Sequence, residues 1–253
     1  MPQFHPLREM RKERRPLFFA RASRYTFQDS GKNRFEMLLS IEKRFLFVAN
    51  TKTASTSIEV ALKPFSEIVR AGTPERKHTT LYRVLQDYDF MFQRPEHSPD
   101  RFFKFGVMRD PIDWINSWFR YRKGNEVAAP LPADMSFADF WRRKDWNIER
   151  PNGAGKNLQR DMFCAPDGTV LADVVIQHHR LAPTFATICD ALDIRSPLER
   201  HNVSEITPRD DIPADLKAEM EEFYADDYAL FDQLEDLNAP GLERLRARIN
   251  ETA

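Results

Sequence analysis

The sequence predicts an α/β fold, a parallel sheet flanked by helices, and three observations carry that expectation. Residues 45–63 and residues 102–119 share one order: a short apolar strand, a polar turn, then an amphipathic helix. A third apolar run, VLADVVI at 170–176, follows the turn signal Asp167-Gly168 and precedes further helical periodicity. Strands alternating with helices in this way build sheets whose ligands gather at the carboxyl ends of the strands.

The first unit opens with FLFVA at 45–49, a run of strand length that breaks at Asn50 into a Thr/Ser-rich turn. Ile58, Ala61, Leu62 and Phe65 then recur at three- and four-residue spacing, and Pro64 marks the exit. A helix is expected over 79–85, and the whole of 66–100 reads as an insertion that frames a cleft. The second unit opens with FFKFGVM at 102–108. Asp110 suits the cap of the following helix and Pro111 its first turn, where a missing N–H costs nothing. Ile112, Ile115, Trp118 and Phe119 supply that helix with an apolar face.

Residues 124–160 read as a variable lobe, two loops around a short aromatic helix at Phe137, Phe140 and Trp141. Helical patterns follow over 183–192 and 213–236, the second with Leu216, Met220, Phe223, Tyr224, Phe231 and Leu234 in a broad apolar stripe. Pro240-Gly241 then punctuates the chain ahead of a terminal helix carrying Leu242, Leu245 and Ile249. The expected division is a basic amino-terminal extension at 1–44, an α/β domain at 45–236 and a carboxy-terminal helix at 237–253.

Composition removes several classes. Twenty Phe residues and 12% aromatics exclude disorder throughout. No apolar run reaches the roughly 20 residues of a membrane span. Cys164 and Cys189 lie outside any CxxC or Cys/His cluster, so at most one bridge and no structural zinc are expected, and His178, His179 and His201 lack metal spacing. The start has basic residues but no apolar segment with a cleavage site, which makes the cytoplasm the expected compartment, with peripheral contact at the inner membrane surface left open. The net charge of -1 conceals a split: residues 1–44 carry eleven Lys/Arg against five Asp/Glu, and residues 205–240 carry two against twelve. The basic start suits a nucleic acid, a phosphate-bearing cofactor, an anionic surface or an ordinary solvated face, while the acidic later segment argues against a DNA partner.

The turn NTKTASTS at 50–57 sets one ammonium and a row of hydroxyls between a strand and a helix amino terminus. An anion suits such a place, because unsatisfied N–H donors and the helix dipole act together while Lys52 adds mobile positive charge. A Ser/Thr-rich helix cap uses the same residues. The GxxxxGK[ST] spacing is absent here, and GAGKN at 153–157 lacks it too, so a nucleoside triphosphate is not expected. Arg109 ends the second strand and Ser117 lies eight residues later; a planar donor fork and a hydroxyl together suit a second phosphate. One ligand could join both loops, and the core is expected to be P-loop-like.

These residues carry a resemblance. KTASTS at 52–57 followed by RDPIDWINS at 109–117 resembles the paired signatures of sulfotransferases that use 3'-phosphoadenosine 5'-phosphosulfate (PAPS), a PKTGSTS-type loop for the 5'-phosphosulfate and an RxPxxRxxS-type loop for the 3'-phosphate. Leu158-Gln159, APDGTVLADVVIQHHRL and FYADDYALF near 223–231 are similar to the carboxy-terminal half of small bacterial and Golgi-type carbohydrate sulfotransferases, so the likeness spans about 45–232. Asn50 stands at the usual Pro position, Ala54 at the usual Gly, and Trp114 where many relatives carry another basic residue. A Cβ at position 54 leads to the expectation of a loop that avoids a glycine-only conformation.

The resemblance implies transfer of a sulfuryl group from PAPS to a hydroxyl of a carbohydrate, glycolipid or small metabolite, leaving adenosine 3',5'-bisphosphate, with no metal expected. Lys52 would meet the 5'-phosphate and bridging oxygen, Thr53, Ala54, Ser55, Thr56 and Ser57 the remaining oxygens, and Arg109 and Ser117 the 3'-phosphate. His78, in RKHT at 76–79, resembles the KH[AST]T segment of small bacterial members and is the first candidate for the base that takes the acceptor proton, a surface or capping histidine being the other reading. Glu59 and Asp87 are lesser candidates for the base. Asn202 and Ser204 suit a late loop returning to the nucleotide, Arg160 and Arg180 an acidic acceptor, and Trp114, Trp118 and Phe119 helix packing first. A catalytically weak nucleotide-binding or regulatory protein of the same fold is the alternative, and a homodimer is left open.

Overall fold

The computed structural model describes residues 35–71, 79–124, 130–144, 146, 155–199 and 212–252 of the 253-residue chain. One sheet runs in the order β3-β1-β2-β4-β5, with β1 at Phe35–Ser40, β2 at Phe45–Val48, β3 at Ile68–Ala71, β4 at Phe103–Met108 and β5 at Val174–Gln177. β2, β4 and β5 are parallel neighbours, whereas β1 is antiparallel to both β2 and β3. The expected parallel sheet is therefore a mixed one. The reason is local: a four-residue connection at 41–44, with Arg44 at φ 56°, is short enough to join only antiparallel strands. β1 also falls inside the segment expected to be an extension.

Helices cover both faces. Leu38, Phe45, Phe47, Phe103, Phe105, Val107, Val174 and Ile176 alternate onto one side, where they meet α1 (Ser55–Leu62) and, later in the chain, Leu181, Phe185, Ile188 and Leu245. Met37, Leu39, Leu46, Val48, Met108 and Val175 point the other way, onto Leu81 and Val84 of α2 (Leu81–Asp87) and onto Met91 and Phe92 of α3 (Asp89–Phe92). A third cluster lies to one side of the sheet. There α4 (Pro111–Gly124) and α5 (Phe137–Arg143) pack Trp114, Phe119, Phe140 and Trp141 with Trp146 and Tyr224, and the rings of Trp141 and Trp146 stack at 4.6 Å and 7°. The aromatic residues expected as a short helix near 137–141 thus pack with Trp114, Phe119 and Tyr224, which lie outside 124–160.

The late chain departs from expectation in its boundaries. The helix expected over 183–192 is α6 (Leu181–Ala191), and the one expected over 213–236 divides into α7 (Ala214–Phe223), α8 (Ala225–Phe231) and the start of α9 (Leu234–Thr252). Pro240-Gly241 lies inside α9 rather than before it, because the helix crosses the entry of β5 so closely that a Cβ at Gly241 would overlap the Asp173 carbonyl oxygen. One turn earlier, Asn238 mimics a neighbouring strand. Its Oδ1 accepts from Val175 N at 2.7 Å and its Nδ2 donates to Val175 O at 2.8 Å, which covers the edge of β5. The strand expected over 170–176 is shorter, since Val170 instead makes an isolated bridge to Cys164.

Lys104 and Asp173 fasten the same edge. Lys104 Nζ lies 2.9 Å from Asp173 Oδ2, and Arg244 of α9 reaches Oδ1 at 3.0 Å. Burial alone would raise the Asp173 carboxyl, but the Lys104 charge and the hydrogen bonds outweigh it and hold it below its ordinary value. Cys164 and Cys189 are free, buried thiols, and burial, helped by Asp190, pushes Cys189 up to about 11. Among the described residues no helix is long and apolar enough to cross a membrane.

Candidate functional site

Parallel pairing places the carboxyl ends of β2, β4 and β5 along one edge, through the register pairs Val48 with Gly106 and Met108 with Gln177. The loop at 49–54 leaves the first end, Arg109-Asp110 the second, and His178 the third. The two expected anion loops are therefore neighbours, 57 residues apart in sequence but one strand apart in space.

Within the first loop, Lys52 and Ala54 both take left-handed backbone, φ 57° and φ 60°. Ala54 takes a conformation that glycine favours but that an L residue can adopt, so the backbone is not glycine-only and one methyl group is tolerated there at a cost of about 1 kcal/mol. Such turns direct successive N–H groups toward one side, an arrangement that suits an anion. The loop is held from within and from below. Thr53, fully buried, donates its hydroxyl to Asn50 O at 2.8 Å, so that side chain serves the loop rather than a ligand. Asn50, also fully buried, donates through Nδ2 to Gln159 Oε1 at 2.9 Å.

At the mouth of α1, Ala54 O accepts from Ser57 N at 3.1 Å, and no side chain caps the helix. Ser55 and Thr56 are half-buried and Ser57 is buried. No acidic residue occupies the first turn, so nothing there opposes a negative ligand. Thr51 Oγ1 is buried without a hydrogen-bond partner among the described residues, a hydroxyl in the loop that its own fold does not use. Lys52 Nζ rests on the rings of Tyr121 and Trp118, 2.8 and 4.8 Å from their centroids.

The second loop is built onto the first. Asp110 Oδ1 accepts from Asp113 N at 3.0 Å, the expected cap of α4. Arg109 Nη1 donates to Lys52 O at 3.5 Å, and Trp114 Nε1 donates to Thr51 O at 2.8 Å. Residues 114, 117, 118 and 121 share one helical face by their three- and four-residue spacing. Since Trp114 touches the first loop and Trp118 and Tyr121 touch Lys52, Ser117 lies on the stripe that faces that loop. Lys52, Arg109 and Ser117 are thus brought to one side of the sheet edge.

His178 joins them from β5. It is half-buried, and burial followed by the charge of Arg109 lowers it to about 4, with Asp113 opposing and His179 adding to the shift. Gln159 and Asp227 form the floor, both fully buried. Asp227 accepts from Gln159 N at 3.1 Å and Arg160 N at 2.8 Å, yet burial pushes its carboxyl up to about 7. Sequence reasoning passed over these three residues as site members. The partners of Gln159 and Asp227 lie 50 to 109 positions away, and no local pattern marks them.

The remaining candidates separate. His78, Asn202 and Ser204 lie outside the described residues. Asp87 pairs with Arg70 at 2.9 Å and Arg83 at 2.8 Å, and Glu59 is buried on α1. Arg160 lies 3.6 Å from Asp226, and Arg180 pairs with Glu235 at 2.9 Å. Trp114 is packing and loop support in one residue, fully buried with its N–H on Thr51. Among the described residues no group of three or more His, Cys, Asp and Glu is placed to hold a metal ion. Comparison with known proteins returns no match, whether against family models, curated proteins or solved structures.

Proposed function

We propose that this protein transfers the sulfuryl group of PAPS to a hydroxyl group of a carbohydrate, glycolipid or small metabolite. One observation carries the reading: the KTASTS and RDPIDWINS segments, whose pairing resembles the donor-binding signatures of sulfotransferases, meet where Arg109 Nη1 donates to Lys52 O, and Trp114 Nε1 donates to the carbonyl of Thr51, the residue just before KTASTS. The donor set fits a nucleotide with phosphate groups at both 3' and 5' positions. Lys52 and the first turn of α1 serve the 5' end, and Arg109 and Ser117 the 3' end.

In the reaction the acceptor oxygen bonds to sulfur as the bond from sulfur to the bridging phosphate oxygen breaks. The hydroxyl proton passes to a base, for which His78 is the candidate, and adenosine 3',5'-bisphosphate leaves. Lys52 exchanges its aromatic seat for the bridging oxygen, where negative charge develops and a positioned cation contributes several kcal/mol. Helix N–H groups hold the 5'-phosphate, and Arg109 fixes the nucleotide in line. Incubation of the purified chain with sulfur-labelled PAPS and a panel of hydroxyl acceptors tests the proposal. Labelled product that disappears with Lys52→Ala is expected; turnover unchanged by that substitution would remove Lys52 from the mechanism, and no labelled product from any acceptor would count against the activity.

A further inference from the structure

We propose that Gln159 is a positioning residue that sets the separation between the two anion loops, so that a ligand bearing two phosphate groups is held at both ends at once. The inference rests on the reading of the site as one for a nucleoside bisphosphate.

The carboxamide of Gln159 sits between the loops. Its Oε1 accepts from Asn50 Nδ2 in the first loop at 2.9 Å and from Arg109 N at the head of the second at 3.1 Å. Its Nε2 donates to Arg109 O at 2.8 Å. One planar group therefore fixes both main-chain polar atoms of Arg109 and the side chain of Asn50. Only a carboxamide of this length offers that set: a glutamate would set an oxygen against Arg109 O, and a methionine would fill the space with neither donor nor acceptor.

The strut is itself held. Asp227 of α8 receives Gln159 N on Oδ2 and Arg160 N on Oδ1, and both Gln159 and Asp227 are fully buried. Asn50 also reaches Val107 O at 3.4 Å, which ties the first loop to β4 near the point where Arg109 begins. The distance between the two phosphate ends is thus held by Gln159 from below, beside the direct Arg109–Lys52 and Trp114–Thr51 bonds, whereas the groups that touch each phosphate belong to the loops. Loss of the strut weakens the simultaneous grip and leaves each separate grip nearly intact.

Titration calorimetry on the full chain tests this with three probes: adenosine 3',5'-bisphosphate, adenosine 5'-monophosphate and adenosine 3'-monophosphate. Gln159→Met weakens the bisphosphate about tenfold, the scale of one to two lost buried hydrogen bonds, while each monophosphate changes by less than about threefold. Equal losses on all three probes, or an unchanged bisphosphate affinity, overturn the proposal. Asn50→Ala removes the first-loop side of the strut together with the weaker Val107 contact, leaves both Gln159 bonds to Arg109 in place and gives the same selective loss, so a failure of Gln159→Met to fold does not end the test. An unsubstituted chain that prefers the bisphosphate over neither monophosphate overturns the reading of the site and the proposal with it, and that outcome shows before any substitution is made.

Discussion

Trp114 and Thr51 are joined by a hydrogen bond of 2.8 Å from the indole N–H to the carbonyl oxygen, so the helix after the second loop supports the backbone of the first. Trp114→Phe keeps most of the packing and removes the donor from a buried carbonyl. Stability in urea is expected to fall by about 1–3 kcal/mol, and bisphosphate affinity with it. A variant as stable as the parent would show that the bond supports nothing.

Ala54 offers a test of the loop's backbone. Ala54→Gly relieves the left-handed penalty but enlarges the unfolded ensemble, leaving a net stabilisation of about 0.5 kcal/mol, whereas Ala54→Val costs more than about 1 kcal/mol. Chemical denaturation of the two variants against the parent decides; a stabilising Val would contradict the observed φ of 60°.

His178 is neutral near pH 7, since burial and Arg109 lower it to about 4. A phosphate bound at Arg109 offsets that cation and adds negative charge, so the imidazole pKa rises and binding takes up a proton as pH falls. The His178 ring resonances, followed by NMR across pH 4–8 with and without adenosine 3',5'-bisphosphate, should move their midpoint upward when the ligand is bound. The same midpoint in both states would place the 3'-phosphate away from Arg109.

Asp227 makes stability depend on pH. Its folded pKa of about 7 exceeds the ordinary carboxyl value of 3.8, so the native state binds the extra proton between those values. Stability therefore declines as pH rises from about 4 to about 7, by a few kcal/mol for this group alone. Asp227→Asn should flatten that decline relative to the parent; identical pH profiles would assign the charge cost elsewhere.

Gly241 has no room for a side chain against Asp173 O. Gly241→Ala, a helix-favouring change by propensity, is expected to destabilise by more than about 2 kcal/mol, because α9 must move off β5. A rise in melting temperature would contradict the close crossing.

Much of the fold was legible where signals are local. FLFVA and FFKFGVM announced β2 and β4, and Asp110 and Pro111 announced the start of α4, because burial on both faces and capping chemistry are written in adjacent residues. β1 was hidden by the basic residues around it, and β5 began later because Val170 and its neighbours pack before the ladder starts. Pro240-Gly241 read as a break because a turn and a close helix crossing both call for small or rigid residues, and only the position of Asp173 separates them. In the site, Lys52, Arg109 and Ser117 could be named from spacing. Gln159, Asp227 and His178 could not, since each acquires its role from elements brought together by the sheet.

A crystal structure of the chain with adenosine 3',5'-bisphosphate tests most directly whether the two loops hold one nucleotide between them. The 5'-phosphate is expected on residues 52–57 and the 3'-phosphate on Arg109 and Ser117; a nucleotide bound away from this edge of the sheet, or touching only one of the loops, would contradict it.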